Sequence, residues 1–232
     1  MIAAVMQPYF FPYIGYFQLM QAADVFVIYD DVQYMKGGWV NRNRILLRDA
    51  VAWLTVPVAS APLSSTIAER RYKLDGPTVD GLCRRLDDAY AGEPCFGEVA
   101  RPVRELLTFA DANVARFNAN LLRRVAAMLG IDCRFVVSSE LDKPAGLRGE
   151  ARVIDLVRRL GATRYVNAIG GTALYDRDRF AAAGLELAFL RTSAPPTPLA
   201  GGPQHLSILH LLATGGVAGC RDLLPRYELL EA

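Results

Sequence analysis

IAAVM at residues 2–6, IGYFQLMQA at 14–22 and VFVIY at 25–29 succeed one another at the start of the chain and together spell a β-α-β unit. The first and third segments are continuous apolar runs of strand length, the pattern of strands buried on both faces. The third ends in Asp30-Asp31, as a strand does where it leaves the sheet. In the middle segment Phe17, Leu19 and Met20 recur at helical spacing and make one apolar face. Strands are expected further on at 52–58, 133–137, 165–169 and, last, 185–190, with a short one at 67–74. Helical periodicity covers 79–90, 99–129 with breaks near Gly92, Pro94 and Asp111, then 150–160 and 206–213. That alternation predicts an α/β fold: a mainly parallel sheet flanked by helices, with a helical section in the middle.

The 232 residues, 52% hydrophobic and 22% charged, suit one large domain with a single apolar core spanning 1–232. Lys and Arg number 26 against 24 Asp and Glu, so no global basic field is available to hold a nucleic acid. The apolar start lacks a basic leader and is interrupted by Gln7-Pro8, which argues against a signal peptide. No segment reaches the ~18 uninterrupted apolar residues of a membrane span. A cytoplasmic protein without a membrane partner is the expectation. Cys83, Cys95, Cys133 and Cys220 lie far apart, and only His205 and His210 join them, so paired metal-ligand spacing is absent and the cysteines read as reduced structural thiols.

Chemistry concentrates in the first quarter of the chain. In MQPYFFPYIGYF (6–17) a strand end runs into a helix start, with Pro8 and Pro12 fixing the backbone. Parallel α/β sheets bind ligands beyond the carboxyl ends of their strands, so Gln7, Tyr9, Tyr13, Gly15 and Tyr16 are placed along such a crevice, while Phe10, Phe11 and Phe17 read as core. DDVQYMKGGWVNRNR (30–44) then packs acids, amides and bases into fifteen positions. Lys36, Arg42 and Arg44 are suited to grip a phosphate or carboxylate. Gln33, Asn41 and Asn43 are suited to orient a substrate. Asp30 or Asp31 is a candidate general base, or a ligand for magnesium. Late in the chain, the Pro/Gly-rich stretch from Ala194 to Pro203 reads as a loop able to act as a lid, and His205 and Ser207 open the last helix, where they could complete the site from the opposite wall.

The stretches MQPYFFPYIGY (6–16), FVIYDDVQY (26–34), WVNRNRI (39–45) and WLTVPV (53–58), in this order and spacing, resemble the signature of the WbqC-like protein family. The likeness continues through Ser138-Ser139-Glu140, Tyr165 to Gly171, Phe180 to Gly184 and Leu206-Ser207-Ile208, and so covers nearly the whole chain. One departure is His210, where the family usually carries Asp. Members of that family occur with genes for O-antigen, other polysaccharides and natural products. The resemblance therefore implies an acyl- or aminoacyltransferase, glycine-transferase-like, forming an amide on an amino sugar or related small amine. The small-molecule partner would be an amino sugar, a nucleotide sugar or an amine. A competing reading is a non-catalytic module holding a sugar nucleotide or a partner biosynthetic enzyme. A third, from the analogy of a first strand leading through a Pro/Gly turn into a helix, is a Rossmann-like, nucleotidyltransferase-like fold acting as an adenylate-forming ligase. The cofactor stays open, with ATP and magnesium as candidates.

Overall fold

The structure, a computed structural model, describes residues 1–144, 146–199 and 204–232. In chain order its elements are β1 (Ile2–Met6), α1 (Ile14–Ala22), β2 (Val25–Ile28), β3 (Arg42–Leu47), β4 (Ala50–Thr55), α2 (Gly76–Tyr90), α3 (Phe96–Leu107), α4 (Val114–Leu129), β5 (Arg134–Val137), α5 (Gly149–Arg159), β6 (Arg164–Ala168), α6 (Arg177–Ala182), β7 (Glu186–Thr192), α7 (Ile208–Leu223) and β8 (Tyr227–Glu231). Among the described residues the main sheet has the order β5-β2-β1-β6-β7-β8, parallel throughout except for β8, which runs antiparallel to β7. The chain thus works outward from β1 to one edge, returns to the centre at β6, and works outward to the other. This is the winding of a Rossmann-like fold.

The apolar runs behave as strands covered on both faces. Ala4, Phe26, Ile28, Val166, Ala188 and Leu190 enter one core with α1, the helical section α2–α4 and α7. The alternate residues Ala3, Val5, Val25, Val27, Tyr165, Leu187 and Phe189 enter a second core with α5 and α6. Period-two alternation in which both sets are apolar leaves such a strand no solvent face. Helix α1 differs from the expected one-sided helix: Ile14 through Met20 are all buried, and the polar Gln18 is accommodated because its Nε2 donates to the carbonyls of Leu223 (2.7 Å) and Arg226 (2.9 Å).

One element is new and three further expectations are corrected. Residues 42–47 are a strand, paired antiparallel with β4 in a hairpin outside the main sheet. Their buried residues Asn43 and Ile45 alternate with half-buried Arg42 and Arg44, a pattern masked by the density of charge. The segment 67–74 is a single 3-10 turn at Ile67–Glu69, whose Thr66 and Glu69 close a reciprocal cap, followed by isolated bridges at Arg71 and Tyr72. The strand at 186–192 is not the last, since β8 follows it. The final helix runs to Leu223, passing through a left-handed Gly216 with φ 66°. Of the lid expected at 194–203, residues 200–203 lie outside the described residues; Thr197 and Gln204 on either side bridge to each other.

The connection from β1 to α1 turns at Phe11, a fully buried residue with φ 40°, in the left-handed region that non-glycine residues adopt only at a cost. Three elements hold it. Asn43 of β3 donates through Nδ2 to the carbonyls of Phe10 (3.0 Å) and Phe11 (2.9 Å). Ser207, ahead of α7, donates through Oγ to the Phe11 carbonyl at 2.7 Å, and Asn118 of α4 donates to the carbonyls of Pro8 and Val40, both at 2.7 Å. Asn43→Ala leaves the Phe10 carbonyl without its side-chain donor and the Phe11 carbonyl with Ser207 alone, so it should lower unfolding free energy by about 1–3 kcal/mol. In urea denaturation the midpoint should fall with an unchanged slope. A loss under about 1 kcal/mol would mean that water replaces the amide and the clamp is dispensable.

Candidate functional site

Winding in opposite directions from β1 and β6 leaves a crevice beyond the carboxyl ends of these adjacent strands, because the chain leaves β1 toward one edge and β6 toward the other. A hollow of about 590 Å³ opens there. Tyr9, Pro12 and Tyr13 supply one wall from the β1–α1 connection; Ile169 and Gly170 follow β6, and Arg191 and Thr192 end β7. The hairpin contributes Asn43 and Arg44, with Trp39 just ahead of it, and Gln204 and His205 arrive from the segment before α7. Gly15 is buried beneath this wall: a Cβ there would lie 2.4 Å from the Tyr13 ring, so only glycine lets that ring lie over the first turn of α1.

Arg44 is the anchor of the hollow. Its Nη1 donates to Gln204 Oε1 at 2.5 Å and its Nη2 to the His205 carbonyl at 3.2 Å, while the guanidinium carbon lies 5.1 Å from the centre of the Trp39 ring. Its Nε has no partner, and no carboxylate pairs with it among the described residues. Arg191 is instead paired with Glu228 at 2.7 Å. The His205 ring sits 5.5 Å from that of Tyr13, and its pKa is lowered from 6.5, first by burial and second by the Arg44 charge. The imidazole is therefore neutral at pH 7 and able to accept a proton. Burial raises the Tyr9 and Tyr13 phenols, which stay protonated as hydrogen-bonding groups.

The residues singled out from the sequence divide among four places. Tyr9, Tyr13, Asn43, Arg44 and His205 line the hollow together. Tyr16 does not: it is core, donating to the Gln7 carbonyl at 2.7 Å. Gln7 lies beside it, half-buried and outside the lining. Ser207 is fully buried and spends its hydroxyl on the Phe11 carbonyl while accepting from the Leu209 amide, which makes it the cap of α7. Gln33, Lys36, Asn41 and Arg42 line a separate hollow at the open end of the hairpin, where Arg42 pairs with Thr55. Within it Asn41 is tied to Tyr34 Oη (2.8 Å) and to the Val56 carbonyl (2.9 Å).

Asp30 and Asp31 stand at the end of β2 beside the turn that follows β5. Asp30 accepts from the Ser139 amide (2.9 Å) and Ser139 Oγ (2.6 Å), and burial raises its pKa. Asp31 accepts from Ser138 Oγ at 2.8 Å and is ion-paired with Lys143 at 2.6 Å and with Arg152. With their oxygens engaged by protein donors, the pair does not fit a magnesium ion. Among the described residues no group of three or more His, Cys, Asp or Glu gathers to hold a metal.

Arg191, Thr192, Ile169 and Gly170 were not picked out from the sequence, although all lie at the carboxyl ends of segments read as strands, where the crevice rule would have found them. Trp39 stood inside the quoted polar stretch without a role, and Gln204 precedes His205. The electrostatic description of His205 is directly testable. With two histidines in the chain, proton NMR should give a pKa below 6.5 for His205, and Arg44→Gln should raise it part of the way back, since burial, the larger cause, remains. A value unmoved by the substitution would break the link between these two groups.

Among the described residues, no helix is long and apolar enough to cross a membrane. The chain is 30% identical over 184 residues to Uncharacterized protein Rv1507c of Mycobacterium tuberculosis, covering 76% of each chain. No solved structure matches it. The family model described as WbqC-like protein family matches residues 7–221, a span that takes in both walls of the hollow. By that match the chain belongs to the WbqC-like protein family.

Proposed function

We propose that the protein is a transferase that joins an acyl or aminoacyl group to the amine of a small anionic, ring-bearing substrate, such as a nucleotide-linked amino sugar. The observation that carries this reading is the pairing, in one aromatic-walled hollow, of a guanidinium that has no carboxylate with an imidazole kept neutral. Arg44 would hold the anionic group, which supplies the charge its surroundings lack. Tyr9, Tyr13 and Trp39 would take the faces of the rings. His205 would act as general base. The amine nitrogen attacks the acyl carbon, the new C–N bond forms as the bond to the leaving group breaks, and the amine proton passes to the imidazole and on to the leaving group. Asp30 and Asp31 have no part in this scheme, because neither lines the hollow and Asp31 is already ion-paired with Lys143 and Arg152.

Incubation with a panel of nucleotide-linked amino sugars and activated acyl or aminoacyl donors, followed by mass spectrometry, should yield an N-acylated product. His205→Gln should lower kcat by roughly 10²-fold with little effect on KM, and Arg44→Gln should raise KM about tenfold. The acid limb of the rate should lie below pH 6.5, since the imidazole must be neutral to act and its folded pKa is depressed. Binding of the sugar nucleotide without product from any donor would replace this reading with that of a non-catalytic binding module.

A further inference from the structure

The hollow at the open end of the hairpin has a volume of about 710 Å³, within the range of small-molecule sites, and it carries positive charge with nothing to balance it. Lys36, Arg42 and Arg70 line it, its lining holds no acidic side chain, and none of the three is paired with a carboxylate among the described residues. Arg70 is only 5% exposed. Its Nη1 and Nη2 donate to the carbonyls of Ala61 (3.1 Å) and Pro62 (2.7 Å), its guanidinium lies 5.0 Å from the centre of the Tyr34 ring, and its Nε has no partner. Arg42 is likewise held by the carbonyls of Gly37 and Gly38 and by the face of Trp53, 4.1 Å from its guanidinium carbon. Carbonyl oxygens and ring faces orient a guanidinium but do not cancel its charge. A buried cation left in that state normally has an ionic partner.

We propose that this second hollow is a binding site for a diphosphate-bearing small molecule, distinct from the site at the centre of the sheet. The charge count favours diphosphate over a carboxylate: three cationic residues line one hollow, and a single carboxylate brings one negative charge where a diphosphate brings two or more. Lys36 is exposed at the mouth and free to follow a phosphoryl oxygen as a point charge, while the arginines are fixed further in. Exposed Met35 and Leu63, also part of the lining, offer apolar surface to the organic part of the ligand. The proposal does not depend on the transfer reaction described above, since it concerns other residues.

Calorimetric titration with inorganic pyrophosphate tests it, carried out on the Arg44→Gln protein so that the central hollow is disabled. Binding should persist there with a Kd of about 1 mM or tighter. Adding Lys36→Ala, at an exposed position that leaves folding intact, or Arg42→Gln, should weaken it about tenfold each, whereas malonate should bind far more weakly than pyrophosphate. Absence of binding in the Arg44→Gln protein, or equal affinity with Lys36 and Arg42 both replaced, would overturn the proposal. Either result leaves the product assay of the central site untouched.

Discussion

A single strained turn, at Phe11, sets the position of the hairpin and the last helix where they face the central hollow. Left-handed backbone at a phenylalanine costs on the order of 1–3 kcal/mol and persists only where surrounding bonds over-determine it. Here the bonds come from three separate parts of the chain: Asn43 of the hairpin, Ser207 ahead of α7 and Asn118 of α4. Backbone bonds reinforce them, from the Phe10 amide to the Trp39 carbonyl and from the Ile208 amide to the Pro12 carbonyl. Each donor satisfies a carbonyl that the turn would otherwise strand in the interior, so the same contacts that stabilise the turn also dock the hairpin and the last helix. Trp39, Arg44 and His205 reach the hollow as a consequence of that docking.

The charged groups near the strand ends fall into two kinds. At the end of β2 Asp31 is neutralised by Lys143 and Arg152, and Asp30 is held by the amide and hydroxyl of Ser139. Around the hairpin the arginines are held by carbonyls, an amide and aromatic faces, all neutral. The first kind ties the turn after β5 and helix α5 to the sheet and leaves little charge for a ligand. The second keeps its charge on offer. That contrast assigns binding to the bases and structure to the acids, although both occur within fifteen residues of sequence.

The β-α-β start was readable because both faces of β1 and β2 are apolar, so the runs are unbroken and the period needs no interpretation. The hairpin was not, because β3 alternates asparagine and isoleucine inward with arginine outward, and an inward asparagine does not register as apolar although it is 5% exposed. Strand β8 is short, YELLE, and half-exposed, and its assignment depends on pairing with β7. The hollow was half legible. Tyr9 and Tyr13 follow from the strand-end rule, and Arg44 from its chemistry. Its contact with Gln204 spans 160 positions and exists only because α7 returns to the Phe11 turn. Nearness in sequence also misled: Asp31 and Arg44 are thirteen residues apart, yet the chain between them loops out through Lys36 and returns along β3, and each then meets a different neighbour.

The two hollows share a structural partition. Arg42 lies over Trp53, Trp53 contacts Trp39 at a centroid distance of 5.5 Å, and Trp39 meets Arg44, so guanidinium and indole groups form one row across the hairpin. Cation-π contacts of this kind contribute about 0.5–2 kcal/mol each, comparable with an exposed ion pair, but the ring has no net charge to satisfy the cation. A carboxylate in the same place would fix the guanidinium equally well and cancel the field it presents to a ligand. Replacing acid by indole therefore preorganises the arginines without neutralising them, and the rotamer entropy of two long side chains is lost on folding instead of on binding.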